Sequence, residues 1–526
     1  MPFHRHQQDE TLGEYKALPL ALLGMLIKDG KEYHIPLLEP VQQSLVNLTT
    51  SLEWDTDDEV MEAIHNVLLG IWTTVWMPSK TNTLPCPTER CLALRSLHQD
   101  GSLGPPNRVT PEISRFEHTM RLTYLYEMHR MAAKGKTMDE ARQVMERWFV
   151  EKVYSPFNTL RSLKHRASAI VFATPAMPRS IWTDRVNWKS MLYLGHPVTL
   201  DGIREVFVEL DKQTFHQWED KVLCGLKIRV DYKNIAEDLT NTDVGYSFLS
   251  DPRNKEFHDR DRLARGILAD PKLRCHFTIP TTDGSGVCWS KPALHEWLTE
   301  YGRLSGLEAT RAEMLGGAPG RSSELHAMCY RNTKTRTTRN LIIWAEYVTL
   351  MRMYTKTGAF TNRDKLIPHA MDAFTGDLLI QDLAIARPFA ELAVQVCFPN
   401  QKDIRDLYKY RLFVNHTRGF DSNDLSRTME RLTVPVFGFG IKINAWRHIH
   451  VNFCRKLCNR AQELLADNES DTPHILQYGH GHSIHHNIYG LSQDSLMGPS
   501  EDVLPFFLEA STGWQVIGQV VPGKLI

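Results

Sequence analysis

Two arginines, a lysine and a histidine around a phenol are what phosphoryl transfer to a tyrosine requires, and the C-terminal part of this 526-residue chain offers Arg321, Lys356, Arg447, His480 and Tyr489, with Asn444 three residues before Arg447. Tyr489 closes a histidine-rich stretch opening at Gly479-His480-Gly481-His482 and is followed by Gly490, so a phenol stands at a break in regular structure. A tyrosine hydroxyl, with a pKa of about 10, is a weak nucleophile until its proton is removed or its charge is stabilised. Attack on a phosphate spreads negative charge over the non-bridging oxygens. Two forked guanidinium groups and an imidazole match that charge. A lysine can protonate the leaving alkoxide, and the set calls for neither a metal nor a nucleotide cofactor.

The elements that must position these groups can be read around them. The run Gly316-Gly317-Ala318-Pro319-Gly320 breaks the chain, and Arg321-Ser322-Ser323-Glu324-Leu325 opens the next helix. Such a turn can present backbone N–H groups to an anion, although taken alone it better suits a surface helix in which Arg321 and Glu324 pair at i, i+3. Strand-like runs at 341–344 and 347–354 flank a tight turn, and Lys365-Leu366-Ile367-Pro368 follows the loop Thr355-Lys356-Thr357-Gly358. The pattern predicts a small antiparallel sheet with Lys356 at a hairpin tip. Helices are expected at 376–396 and at 422–432, the second begun by Asp421-Ser422-Asn423, with an irregular connection over 434–440. The next helix carries Asn444-Ala445-Trp446-Arg447-His448 near its start, with Val451, Cys454 and Leu457 facing inward. An arginine near a helix N-terminus opposes the helix dipole, which a bound anion would offset.

Taken together, these motifs resemble the tyrosine recombinase (phage integrase-like) family. Its first box, Arg-x-Ser-Glu-Leu, is matched from Arg321 to Leu325; its lysine turn is matched by Thr355-Lys356-Thr357-Gly358; its second box, His-x-x-Arg-His, is matched by Asn444, Arg447 and His448. The third box is Gly-His with a tyrosine nine residues after the histidine, the spacing from His480 to Tyr489. The resemblance covers roughly residues 292–500, and the whole chain is similar, less closely, to fungal crypton-type recombinase-like proteins. It implies a site-specific recombinase or integrase of transposon type. Tyr489 would cleave double-stranded DNA to leave a 3′-phosphotyrosine and a free 5′-hydroxyl. Arg321, Arg447, His480 and Asn444 would hold the phosphate, Lys356 would serve the leaving oxygen, and Glu324 and His448 would support them. It also implies a homotetramer on DNA, with the segment after Tyr489, including Val503, Leu504, Phe506 and Phe507, docking on a neighbour or packing within its own chain. Two departures stand out. Asn444 replaces the usual histidine, and an amide cannot carry the tyrosine's proton; His448, His482 or His485 could substitute. The interval from Arg447 to His480 is also long for the family. A type IB topoisomerase-like relaxer and a DNA-binding module with lapsed catalysis are the alternatives.

The remaining chain sets the frame. Its length calls for two to four domains, expected as a helical region at 1–105, a helical core-binding-like clamp at 106–300 and a catalytic domain at 301–526. The fold class expected is mainly α with a small antiparallel β-sheet. In the middle region, Thr110 and Pro111 are expected to start a helix that ends at Lys134-Gly135-Lys136, and Thr137 with Glu140 forms a capping-box pattern for another. The apolar runs 17–27 and 67–77 fall short of the roughly 20 residues of a membrane span, and acidic residues precede the first of them. Nine cysteines without a Cys-x-x-Cys pair point to free thiols in a reducing compartment, expected to be the nucleus. Net charge is -1, which gives no global sign of nucleic-acid binding. Positive charge is concentrated locally, with Arg331, Lys334, Arg336, Arg339, Arg352 and Arg363 around Lys356 as a candidate DNA-binding face. A metal site at His480, His482, His485 and His486 is the least favoured reading.

Overall fold

The computed structural model describes residues 9–28, 35, 37–54, 56–80, 83–150, 153–173, 178–280, 286–320, 325, 327–335, 337–352, 367–457 and 504–525. The chain packs as two units, Met1–Met177 and Pro178–Ile526. The boundaries expected from the sequence lie near 105 and 300. The helix Pro106–Ala133 packs within the first unit, and the helix Lys291–Leu315 runs through position 300 without a break.

The first unit is helical: α1 (Asp9–Lys28), α2 (Glu39–Trp54), α3 (Asp57–Trp72), α4 (Pro87–Arg95), α5 (Pro106–Ala133), α6 (Met138–Glu146) and α7 (Pro156–Ala173). Its core gathers Leu22, Val67, Ile71, Trp72, Phe116, Met120, Tyr124, Phe157 and Leu160. Tyr124 donates its hydroxyl to the Trp72 carbonyl at 2.8 Å, and Trp72 Nε1 donates to Thr88 at 3.2 Å, so the two buried polar aromatics are satisfied. The capping box of α6 forms as expected, with Thr137 N donating to Glu140 at 2.8 Å. By contrast, α5 starts at Pro106 rather than at Thr110. Proline suits a first helical position because the missing N–H has no partner there in any case.

The second unit is mixed. Strands β1 (Ser180–Trp182), β2 (Ser190–Tyr193) and β3 (His196–Thr199) form an antiparallel sheet in that order. Then come α8 (Leu200–His216), α9 (Arg262–Ala269), α10 (Pro271–Phe277), the strand pair β4 (Thr278–Ile279) and β5 (Cys288–Trp289), and α11 (Lys291–Leu315). The expectation of helices alone over 106–300 is therefore corrected: strands occupy part of 180–199 and 278–289. Strands β6 (Leu341–Trp344), β7 (Tyr347–Arg352) and β8 (Ile367–Ala370) form the expected antiparallel sheet, in the order β6-β7-β8. Next are α12 (Ala373–Gln381), α13 (Arg387–Cys397), α14 (Lys402–Tyr410), the short pair β9 (Val414–Asn415) and β10 (Arg418–Gly419), α15 (Ser422–Phe437), α16 (Ile443–Leu457) and α17 (Leu504–Ile517). Asp421 caps α15 as anticipated, accepting from the N–H groups of Asn423 and Asp424. The helix runs on to Phe437, further than expected, and ends on Gly438 at φ 72°.

The second unit is built around α11, which is buried on every side from Leu304 to Leu315. It nevertheless carries Ser305, Glu308, Arg311 and Glu313 into that core, and each has charged or hydrogen-bonding company. Arg311 reaches Asp372 at 2.8 Å, Thr375 at 2.8 Å, and Asp211. Ser305 accepts from Val414 N at 3.0 Å. Glu308 lies beside Asp382 and Arg387. A wide π turn, Asp382–Ala386, joins α12 to α13 and brings Asp382 and Arg387 to the same buried neighbourhood. There Arg387 donates to Tyr301 Oη at 2.6 Å and to the carbonyls of Tyr408, Arg411 and Leu412, while Tyr301 donates to Asp382 at 3.0 Å. Burial, then the neighbouring Asp382 charge, pushes the Glu308 carboxyl well above the usual range.

Candidate functional site

Helix α16 carries the second-box residues and is held from three directions. Trp446, Ile449, His450 and Phe453 form its buried face, where Val451 and Leu457 had been expected; those two are only half-buried, and Cys454 is buried as anticipated. Trp446 meets Phe207 of α8 and Trp514 of α17 edge-on at 6.2 and 6.0 Å, His450 lies 4.2 Å from Trp514, and Phe453 meets Trp182 of β1 at 5.3 Å. These contacts fix the opposite side of the helix, where Asn444 is exposed and Arg447 and His448 are half-buried.

Arg179 Nη1 lies 3.3 Å from His448 Nε2, and the imidazole stacks over Tyr193 at 6.3 Å. A guanidinium only donates, so Nε2 accepts and the ring proton sits on Nδ1. Burial, then the charges of Arg179 and Arg447, holds the His448 pKa below its ordinary value. The result is a neutral imidazole between two guanidinium groups, an arrangement suited to receiving an anion. Asn444 occupies the preceding turn of the same helix and offers amide donors.

A second cluster adjoins this helix at the end of α11. Arg352, the last residue of β7, pairs with Glu313 at 3.0 Å, both side chains buried. His369 of β8 is fully buried and its Nδ1 contacts the Gly316 carbonyl at 3.1 Å, so Nδ1 carries the proton and Nε2 is bare. Burial, then Arg352 and His450, pushes the His369 pKa well down. His450 belongs to α16, so the end of α11, the β7–β8 pair and α16 share one neighbourhood. The described residues just before Arg321 (316–320) and shortly before Lys356 (Arg352) thus lie near the helix that bears Arg447.

Of the residues singled out in the sequence, Arg321, Glu324, Arg336, Lys356, Arg363, His480 and Tyr489 lie outside the described residues, as do His482, His485 and His486. Lys334 is exposed. Arg331 is mostly buried, over the Tyr330 ring at 5.0 Å and 3.8 Å from Glu391. Arg339 departs from expectation: it is buried against Glu237, donates to the Asp238 carbonyl at 2.8 Å and packs on the Tyr246 ring, so it is committed to the interior. Arg352 is likewise interior. Arg179 and His369 carry no signal in the sequence. No motif marks either one, because each acquires its role only from elements distant in sequence.

The Cys454 thiol lies 3.5 Å from His450 in the core, and the described cysteines are free thiols. Among the described residues no group of three or more His, Cys, Asp or Glu side chains is arranged to hold a metal ion, and no helix is long and apolar enough to cross a membrane. No family model, curated protein or solved structure matches the chain.

Proposed function

We propose that the chain is a metal-independent DNA strand-exchange enzyme of the tyrosine recombinase type, in which Tyr489 attacks a scissile phosphate and stores the bond energy as a 3′-phosphotyrosine. The observation that carries this reading is the ordered set Arg321, Lys356, Asn444-x-x-Arg447-His448 and His480 with Tyr489 nine residues on. It is supported by the antiparallel sheet β6-β7-β8, which lies between the first and second boxes with the lysine turn in its β7–β8 connection. The shared neighbourhood of the end of α11, β7–β8 and α16 supports it further. In this mechanism Arg321 and Arg447 bind the non-bridging oxygens, His480 donates to the same group, and Lys356 protonates the leaving 5′-oxygen. Asn444 donates a hydrogen bond to the phosphate and leaves removal of the phenolic proton to another group. His448 is poorly suited to that task while Arg179 occupies its Nε2.

The test is covalent capture. Purified protein is incubated with a library of nicked duplexes of random sequence, and protein–DNA adducts are resolved on denaturing gels. Wild type forms an adduct, Tyr489→Phe forms none, and Arg447→Ala slows formation by roughly 10²- to 10³-fold, the cost of losing one preorganised donor to a developing charge. An adduct that persists in Tyr489→Phe would overturn the nucleophile assignment. A duplex-binding chain that forms no adduct would instead be a DNA-binding module, the reading that Asn444 favours.

A further inference from the structure

Three consecutive carbonyls at the end of α11 are satisfied by side chains from a helix about two hundred positions further along the chain. An α-helix leaves its last carbonyls without donors of its own. Here Trp514 Nε1 donates to Met314 O at 2.9 Å, Gln515 Nε2 to Leu315 O at 3.1 Å, and Ser511 Oγ to Gly316 O at 3.0 Å. All three donors are fully buried. The same groups latch α17 to β8: Gln515 Nε2 also donates to Ala370 O at 2.9 Å, and Ser511 Oγ accepts from Ala370 N at 3.2 Å. The Gly316 carbonyl additionally meets His369 Nδ1. Gly316 has no room for a side chain, since a Cβ would lie 2.6 Å from Ala312 O, and Gly317 follows at φ 95°. The chain therefore leaves α11 through a tight, buried exit whose last carbonyls depend on α17.

We propose that Ser511, Trp514 and Gln515 are positioning residues for the first arginine box: α17, docked within its own chain, caps α11 and thereby fixes where residues 316–320 leave the helix and deliver Arg321. The cap rests on the geometry alone, and its catalytic consequence rests on the recombinase reading. A helix end closed by its own following residues would stay formed whatever α17 did. When α17 departs, the Met314 and Leu315 carbonyls lose these donors and Gly316 keeps only His369 Nδ1, so docking of α17 and order at the exit are coupled.

The test uses the full chain and hydrogen exchange read by mass spectrometry over residues 310–320. Trp514→Phe keeps the ring and removes the donor, Gln515→Leu removes the amide, and Ser511→Ala removes the hydroxyl. Leu263→Ala, a cavity in α9 far from these contacts in sequence, controls for general destabilisation. Exchange over 310–320 is expected to rise at least tenfold in the first three and to stay within twofold of wild type in the control. Equal exchange in Trp514→Phe and wild type, or an equal rise in Leu263→Ala, would overturn the cap; should Trp514→Phe fail to fold, Gln515→Leu decides. In the adduct assay, Ser511→Ala is expected to lower the single-turnover rate at saturating duplex at least tenfold with duplex affinity within twofold, and Ser511→Thr to restore it. A rate unchanged while exchange rises would overturn the positioning role. No adduct from wild type would count against the recombinase reading, and the exchange data would still decide the cap.

Discussion

Glu308 and Asp382 crowd one buried guanidinium, Arg387, and Glu308 Oε1 and Asp382 Oδ1 have no hydrogen-bond partner. Burial raises the pKa of both carboxyls, so the folded chain keeps a proton that the unfolded chain releases above about pH 4.5. Stability from this cluster is therefore greatest at low pH and is lost as pH rises. Glu308→Gln, which cannot ionise, is expected to raise stability at pH 8 by roughly 1–3 kcal/mol while changing it little at pH 5; denaturant midpoints at the two pH values measure this. His369 works in the other direction. Its folded pKa is depressed, so stability declines as pH falls below about 6.5, where the unfolded chain takes up the proton. At this scale the sequence is legible where residues fall in a motif, as at Arg447, and opaque where charges are interior. Arg339 and Arg352 are expected on a DNA-binding face because their partners, Glu237 and Glu313, are settled only by tertiary packing, as are those of Arg387, the Tyr301–Asp382 pair.

Among the elements, α12 shows how one side chain can serve two purposes. Asp372 caps the helix by accepting from Thr375 N at 3.1 Å and neutralises the buried Arg311 at 2.8 Å. Asp372→Ala removes a cap and strands a charge, and is expected to cost about 3–5 kcal/mol, seen as a lowered midpoint in chemical denaturation. The sheet β6-β7-β8 was legible because β-branched and aromatic residues cluster on either side of a two-residue turn at Ala345 and Glu346. The sheet β1-β2-β3 was not. Its strands are only three or four residues long, too short for an alternating pattern to stand out, and Trp188 and Leu194 in its turns take positive φ, which their residue types do not signal. Helix α17 was legible only as an apolar segment. Its packing within its own chain, with Phe507 and Trp514 buried, follows from the hydrogen-bonding needs of α11, which a sequence pattern does not display.

At the scale of the whole molecule, the two units keep separate hydrophobic cores, one within residues 18–160 and one within 191–514. All the candidate catalytic residues belong to the second. A chain beginning at Pro178 is therefore expected to unfold in a single cooperative transition and to retain adduct formation, with weaker duplex binding and a shallower dependence of affinity on salt if the first unit contributes phosphate contacts; binding isotherms over a salt series would show it. Failure of this chain to fold would mean that the first unit is needed for the core of the second. Whether the phenol of Tyr489 carries the DNA is measured by digesting a captured adduct with nuclease and protease and locating the linked nucleotide by mass spectrometry. A phosphodeoxynucleotide on the peptide containing Tyr489, joined through a 3′-phosphate, is the expected result; the same mass on another residue, or a 5′-linkage, would contradict the proposed nucleophile.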